Sequence, residues 1–353
     1  MSRAAAPVAV LSLATASPPH VLTQDDVAQA ARSLFEEHFP QFERMAGVFK
    51  TAGVLTRQSV RPLEWYMEPR GWPERSETYL EGGGELFAQA AERALAGAGF
   101  RGADVDIVVT VSSTGIATPS LEARAMNRLG LRPDARRVPV FGLGCAGGAT
   151  GLGLASALAR ASPGAIVLLV TVELCSLAFR LEDLSKTNIV ATALFGDGAA
   201  ACVLQSDGEG FAEIEASAER TWPDSLDVMG WRVEPNGLGI ILSRSVPAFA
   251  KQHLRSAMVC MLAQSGRELG DIDRFLCHPG GMKVIEALEA SLEMPQGQLD
   301  HERDVLADHG NMSAPTALFV LDRARRAGLP ERSVLTALGP GFTASSVTLR
   351  RTS

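Results

Sequence analysis

The stretch VPVFGLGCAGGATGLGLASALARA, residues 138–161, decides how the rest of the chain is read. It opens on a short apolar run of the β-prone kind, residues 138–141. Gly142, Gly144, Gly147 and Gly148 then mark a tight turn, and a helical pattern of small and apolar residues follows. A strand that feeds a helix through such a turn lifts the turn residue to the end of a sheet, beside the unpaired N–H groups of the helix. The residue lifted is Cys145. The partial positive charge of a helix N-terminus favours a thiolate, so Cys145 is expected to be a nucleophile with a lowered pKa. The same stretch also reads as a small buried cysteine beside packing glycines.

A chain of 353 residues is long enough for one large or two medium domains with a full core. Its 46% hydrophobic and 21% charged residues are those of an ordinary globular protein. A formal net charge of −7, with no Lys/Arg block, argues against nucleic acid as the main partner but leaves room for CoA-type anions held by a few arginines. The opening residues, MSRAAAPVAVLSLATASPP, alternate apolar with small polar residues and stop at a Pro pair. They read as a first core strand over residues 8–16 rather than as a signal peptide. No apolar run approaches the roughly 18 residues that span a bilayer. The five cysteines, at 145, 175, 202, 260 and 277, form neither a disulfide framework nor a CxxC metal site, so a cytoplasmic, reducing compartment is expected.

Thr23 is placed as the N-cap of a helix running to about His38, with Asp26 at its third position. Residues 39–75 read as irregular, with Arg44, Lys50, Arg57, Arg61, Arg70 and Arg75 among aromatics. Helical spacing over 81–97 and 120–129 flanks an all-apolar strand at 107–111. Residues 165–172, AIVLLVTV, have the continuous apolar character of a buried parallel strand. LFGDGAAACVLQS, residues 194–206, reads as a glycine-rich loop and a further strand.

From about residue 213 the pattern begins again. A helix at 248–269, GDID at 270–273 and a strand at 274–277 mirror the helix at 81–97, GADVD at 102–106 and its strand. Asp106 and Asp273 are 167 residues apart (273 − 106), and the strand at 334–338 follows that at 166–170 by 168 (334 − 166). A helix at 282–292 mirrors 120–129, and the loops GDG 196–198 and GPG 339–341 both precede alternating small and apolar strands. At that offset Cys145 falls close to residue 312, beside Asn311, itself in a turn that enters a helix. Two copies of one βα layer, residues 1–210 and 211–353, are expected to pack around a shared site in an α/β fold.

A cysteine nucleophile needs a nearby base or cation, and donors for an oxyanion. His278 ends the run FLCHPGG and alone among the six histidines caps an apolar strand. His20, His38, His253, His301 and His309 lie in polar or helical-surface contexts. A histidine so placed is often a structural hydrogen-bonder. With Cys145 and Asn311 on a duplicated frame it becomes a candidate catalyst.

The segments GLGCAGG, LFGDGAAA, CHPGG, HGNMSAPT and GPGFTASS, in this order and over essentially the whole chain, closely resemble the type III polyketide synthases, the chalcone-synthase-like family of the thiolase fold. The resemblance implies two duplicated βα halves in a five-layered αβαβα arrangement, and a homodimer. It carries the family's Cys–His–Asn triad onto Cys145, His278 and Asn311. It also carries the gatekeeper onto Phe195, which otherwise reads as a core aromatic. The implied chemistry begins with Cys145, as a thiolate paired with protonated His278, taking an acyl group from a CoA thioester. Malonyl-CoA then loses CO2 while His278 and Asn311 hold its thioester carbonyl, and the carbanion attacks the acyl-cysteine. Acyl-CoA and malonyl-CoA are thus the implied partners, with no metal or other cofactor. Arg44 matches a family arginine at the nucleotide end of CoA, although two family lysines are replaced by Gln41 and Val48; it also reads as a solvated helix residue.

Within the family the chain looks like bacterial alkylpyrone and alkylresorcinol synthases, which implies a long fatty acyl starter. Ala178, Ala191 and Ile240 would open an apolar tunnel, with Cys175 and Ser313 on its wall. Cys175 reads as a packing thiol or a second nucleophile, and the same alignment has Trp231 narrowing the cavity. Thr114 and Thr118 match a wall position where one subunit enters the cavity of the other. Two alternatives stay open: a single-round ketoacyl synthase charged by acyl carrier protein, and a catalytically silent acyl-CoA-binding protein of the thiolase fold.

Overall fold

Nine strands form one mixed sheet in the computed structural model of the chain, which describes residues 7–36, 39 and 41–352. They are β1 (Val8–Ala16), β2 (Ile107–Val111), β3 (Arg136–Val140), β4 (Val167–Leu174), β5 (Asp197–Ser206), β6 (Ala212–Thr221), β7 (Arg274–Cys277), β8 (Arg332–Gly339) and β9 (Thr343–Arg351). Their order across the sheet is β7-β8-β9-β6-β1-β5-β4-β2-β3. Read outward from the β6–β1 junction, the two sides repeat each other. The inner pairs β6–β9 and β1–β5 are antiparallel, the pairs β9–β8 and β5–β4 antiparallel, and the outer pairs β8–β7 and β4–β2 parallel. Only three residue pairs, Val8↔Ile214, Ala9↔Glu213 and Val10↔Ala212, join the two sides.

Side chains alternate between the faces of a strand, and here both faces are covered. Leu169 and Ala200 on one side, and Leu276, Leu335 and Val347 on the other, face a common core with Leu152 and Leu318. The latter two lie on the central helices Gly147–Ala161 and Ala314–Gly328. The alternate residues Leu168, Val170 and Val203 meet Leu86 and Phe87 of the outer helix Gly84–Ala98. Phe275, Val334 and Leu338 meet Leu254 and Met258 of the outer helix Val246–Ala263. Outer helix, one half of the sheet, the central helices, the other half of the sheet, outer helix: the fold is the expected five-layered, thiolase-like α/β arrangement. The central helices are the same length and lie 167 residues apart at both ends (314 − 147 and 328 − 161).

Several boundaries differ from the sequence reading. Residues 39–75 are not irregular; they contain the helices Phe42–Thr51, Leu63–Tyr66 and Trp72–Thr78, and a strand Thr56–Ser59 paired with His20–Thr23. Phe42 packs on Phe35 and the helix Phe42–Thr51 rests against the helices Gln24–Phe35 and Lys186–Leu194, so tertiary contact orders the segment where periodicity was weak. The first helix is Gln24–Phe35, capped by Thr23 Oγ1 accepting from the Asp26 N–H at 3.1 Å. His38, its expected end, lies outside the described residues. The helix expected at 248–269 stops at Ala263, and the GDG motif is not all loop, because Asp197 and Gly198 pair with Leu174 and Glu173 at the start of β5. The strand before Cys145 ends at Val140, leaving Phe141 exposed. No helix among the described residues is long and apolar enough to cross a membrane.

Candidate active site

Cys145 lies half-buried in the short turn Gly144–Ala146 at the head of the first central helix. The turn is held from below by the ends of two strands. Ser113 Oγ accepts from the N–H groups of Gly142 and Gly144, each at 3.2 Å. Ser113 N–H in turn donates to Glu173 Oε2 at 2.9 Å, and Thr114 Oγ1 donates to the same oxygen at 2.7 Å. From above, a Cβ on Gly144 would come within 2.7 Å of the Pro340 ring, and its φ of +48° suits glycine.

Asn311 arrives from the second half, at the matching helix start. Its backbone locks onto the Phe195 segment, Asn311 N–H donating to Leu194 O at 2.7 Å and Gly196 N–H to Asn311 O at 3.1 Å. Its side chain is oriented at both ends: Oδ1 accepts from Ser313 N–H at 2.8 Å and Nδ2 donates to Gly280 O at 3.3 Å. Asn311 Oδ1 lies 4.0 Å from Cys145 Sγ, so the two halves meet here. One Nδ2 hydrogen remains for a ligand. Ser313 adopts φ +58°, a strained conformation costing roughly 1–3 kcal/mol, and its hydroxyl bonds the Cys145 thiol.

His278 follows β7 directly and is anchored by its N–H to Thr336 O at 2.8 Å. The ring is buried, and neither Nδ1 nor Nε2 has a partner among the described residues. Gly280, whose carbonyl orients Asn311, is two residues further on. An unpartnered buried imidazole is costly unless a ligand completes it.

Burial opposes the charge separation that the resemblance implies for Cys145 and His278. Burial pushes the Cys145 thiol up to about 11; its hydrogen-bond contacts with Ser313 and Asn311 do not offset it, and the nearby Glu173 carboxylate adds to it. Burial likewise drives His278 down to about 4. Burial thus works against both charged partners of the thiolate–imidazolium pair that the resemblance implies. Desolvation disfavours the charged form of each group. Glu173 is itself held up to about 7 by burial.

The remaining candidate residues divide. Phe195, Cys175 and Ala191 line an apolar channel beside the site, together with Leu22, Val27, Ala30, Ala31, Leu34 and Phe179. Ala178 and Ile240 do not line it: Ala178 ends the turn Cys175–Ala178, and Ile240 faces Trp231 across the hairpin of Met229–Glu234 and Gly237–Leu242. Thr114 is buried and spends its hydroxyl on Glu173 and the Leu174 N–H, whereas Thr118 is exposed before a cis bond to Pro119. Arg44 is exposed on the helix Phe42–Thr51. Burial pushes the Cys175 thiol up, which favours its reading as a packing residue. No cluster of three or more His, Cys, Asp or Glu among the described residues is arranged to hold a metal.

Arg57 is the residue that sequence reasoning missed. It was one basic residue in a segment read as irregular, yet it is buried and caps the helix Lys186–Leu194. It donates to Thr192 O at 2.6 Å, Ala193 O at 3.1 Å and Phe195 O at 3.2 Å, and to Gln24 Oε1. Burial lowers its pKa to about 10 against the pull of Asp197. Asp197 accepts from Val60 N–H and from the N–H and hydroxyl of Ser176, so the GDG aspartate and Arg57 together fix the backbone that presents Phe195. Nothing in local spacing signals this clamp.

The family models described as chalcone and stilbene synthases, N-terminal domain and C-terminal domain, match residues 1–208 and 213–353. The chain belongs to this family. It is a type III polyketide synthase, an acyltransferase by type. It is 38% identical over 349 residues to a 1,3,6,8-tetrahydroxynaphthalene synthase of Streptomyces peucetius subsp. caesius, covering 97% of this chain and 92% of the relative. It is 32% identical over 354 residues to the alpha-pyrone synthesis polyketide synthase-like Pks18 of Mycobacterium tuberculosis, covering 95% and 89%. Among solved structures, the 1,3,6,8-tetrahydroxynaphthalene synthase of Streptomyces coelicolor A3(2) superposes with a TM-score of 0.92 at 28% identity, covering 98% of this chain and 99% of that one.

Proposed function

We propose that this enzyme condenses malonyl-CoA, iteratively and with loss of CO2, onto a long-chain fatty acyl starter carried by Cys145, giving alkylpyrone or alkylresorcinol-type products. The observation that carries the reading is the 4.0 Å approach of Cys145 Sγ to Asn311 Oδ1 at the meeting of the halves, where Asn311 is bonded to Gly280 two residues after the buried, unpartnered His278 ring. The relatives' printed names cover both a naphthalene and a pyrone product, so the alkyl starter rests on the apolar channel beside Phe195.

The neutral imidazole of His278 is an acceptor at neutral pH, so it takes the Cys145 proton as sulfur attacks the acyl-CoA carbonyl. The C–S bond to Cys145 forms, the bond to CoA breaks, and the proton leaves on the CoA thiol. Malonyl-CoA then places its thioester oxygen between a His278 N–H and the free Asn311 Nδ2–H. Those donors stabilise the enolate formed as the bond to the carboxylate breaks, each worth roughly 3–4 kcal/mol. The enolate carbon attacks the acyl-cysteine and releases the Cys145 sulfur for the next round. CoA thioesters supply all the driving chemistry, and no cofactor is required. Arg44 would meet the nucleotide end of CoA, and Thr118 would enter the cavity of a second copy in a cytoplasmic homodimer. Residues 1–210 then form the half that carries the nucleophile, and 211–353 the half that carries its donors.

The test is to incubate the purified enzyme with labelled malonyl-CoA and a ladder of acyl-CoA starters, identifying products by mass. Cys145→Ala is expected to abolish the acyl-enzyme while Cys145→Gln retains malonyl decarboxylation. His278→Ala and Asn311→Ala should each slow decarboxylation by about a hundredfold or more. Full turnover by the Cys145 variants would refute the nucleophile, and products one ketide longer than the starter would make the enzyme single-round.

A further inference from the structure

We propose that Glu302 is a positioning residue for the decarboxylation step: it ties the strand that carries His278 to the helix that presents Asn311, and so sets the spacing of the two donors. This rests on the reading above, in which both donors meet one thioester oxygen, and adds to it a residue that touches no substrate.

The helix Asp300–His309 turns Glu302, Val305 and Leu306 inward, an i, i+3, i+4 stripe on which a carboxylate stands where an apolar residue is the norm. Glu302 is fully buried. Its Oε1 accepts from the Cys277 N–H at 2.7 Å, and Oε2 has no partner among the described residues. Burial holds the carboxyl up to about 7. Arg274 is near enough to favour its charge, but the Arg274 guanidinium pairs with Asp300 on the partly exposed side. What Glu302 adds at this contact is a buried acceptor of fixed reach.

That acceptor falls where the sheet has none. β7 is the outermost strand, paired on one side only, with β8. His278 N–H turns inward to Thr336 O, whereas Cys277 N–H, one residue earlier, turns to the open edge. An edge strand leaves such groups unpaired, and the Glu302 carboxylate stands in for the missing strand. Seven residues on (309 − 302), after a rise of about 10 Å, the same helix ends. Its tail is fixed to the first half, Leu55 N–H donating to Ala307 O at 2.8 Å and Thr56 Oγ1 to Asp308 O at 2.9 Å. Gly310 and Asn311 follow directly. The Asn311 bond to Gly280 O joins the two donors in front, and Glu302 joins their supports behind. The length of the Glu302 arm therefore sets how far the Asn311 amide stands from the strand end that carries His278. Donors aimed at a developing oxyanion act in the transition state, so a misplacement of about 1 Å lowers kcat far more than it weakens binding.

The experiment measures kcat and KM for CO2 release from malonyl-CoA by the full-length wild type, Glu302→Gln and Glu302→Asp, with the iodoacetamide alkylation rate of Cys145 on the same preparations. Gln keeps the reach and an acceptor oxygen without the charge; Asp keeps the charge and is one methylene short. Glu302→Gln should stay within about threefold of wild type in kcat, and Glu302→Asp should fall by about tenfold or more, with KM within about twofold in both. Cys145, whose turn is held from the first half, should alkylate within about twofold of the wild-type rate in each. Equal kcat in all three proteins, a Gln loss as large as the Asp loss, a loss in KM rather than kcat, or a Cys145 rate that falls in step with kcat would overturn the role of Glu302. A wild type that releases no CO2 would instead overturn the decarboxylation reading, so the two failures are distinguishable.

Discussion

Cys145 sits where two effects oppose each other: a helix head that favours its anion, and a desolvated pocket beside Glu173 that does not. Burial is the largest influence on the thiol, and the sign of the pH dependence follows from it. A thiol raised to about 11 is S–H at neutral pH, and its thiolate fraction grows about tenfold per pH unit until that value is reached. His278, lowered to about 4, stays neutral over the same range and adds no titration of its own. Alkylation of Cys145 by iodoacetamide should therefore climb continuously from neutral pH into the alkaline range; a rate already flat near neutrality would mean the thiolate exists at rest. Glu173→Gln keeps an acceptor for Ser113 and Thr114 but removes the charge that opposes the thiolate. Its alkylation at mildly alkaline pH should be several-fold faster, and an unchanged rate would restrict Glu173 to holding the turn.

At the scale of elements, the site depends on how closely the two central helices approach. A Cβ on Gly148 would lie 2.4 Å from Ala314 O, and one on Gly147 2.9 Å from the Ala314 Cβ. These glycines let the head of one helix sit against the head of the other, which brings Cys145 to Asn311. Gly148→Ala is expected to cost roughly 1–3 kcal/mol, as overpacking does, and to slow decarboxylation more than its stability loss explains. Urea denaturation and a malonyl-CoA assay on the same preparation separate the two effects. The helices, their spacing and the turn ahead of each were legible in the sequence because period and glycine placement are local signals. The segment 39–75 was not. Its helices are short, and the one carrying Phe42 and Phe49 packs against Lys186–Leu194, more than a hundred residues away.

Across the whole molecule, the halves share one interior. The central core draws Leu152, Leu169 and Ala200 from the first half and Leu276, Leu318 and Val347 from the second, while only three residue pairs stitch the sheet across the junction. Neither half can bury its inner face alone, so unfolding in urea should be one transition, coincident by circular dichroism and by loss of activity. Two separated transitions would show the halves to be independent. The amino-acid order by itself determined the duplicated βα pattern and many of its turns, and it marked Cys145, His278 and Asn311 as candidates, since each rests on residue type and spacing over a few turns of chain. Only the tertiary structure decided that burial opposes charge on the thiol and imidazole, that Arg57 clamps the carbonyls behind Phe195, and that Ala191 rather than Ala178 or Ile240 faces the channel. Desolvation and contact depend on segments brought together from more than a hundred residues apart, and no local pattern records which ones will meet.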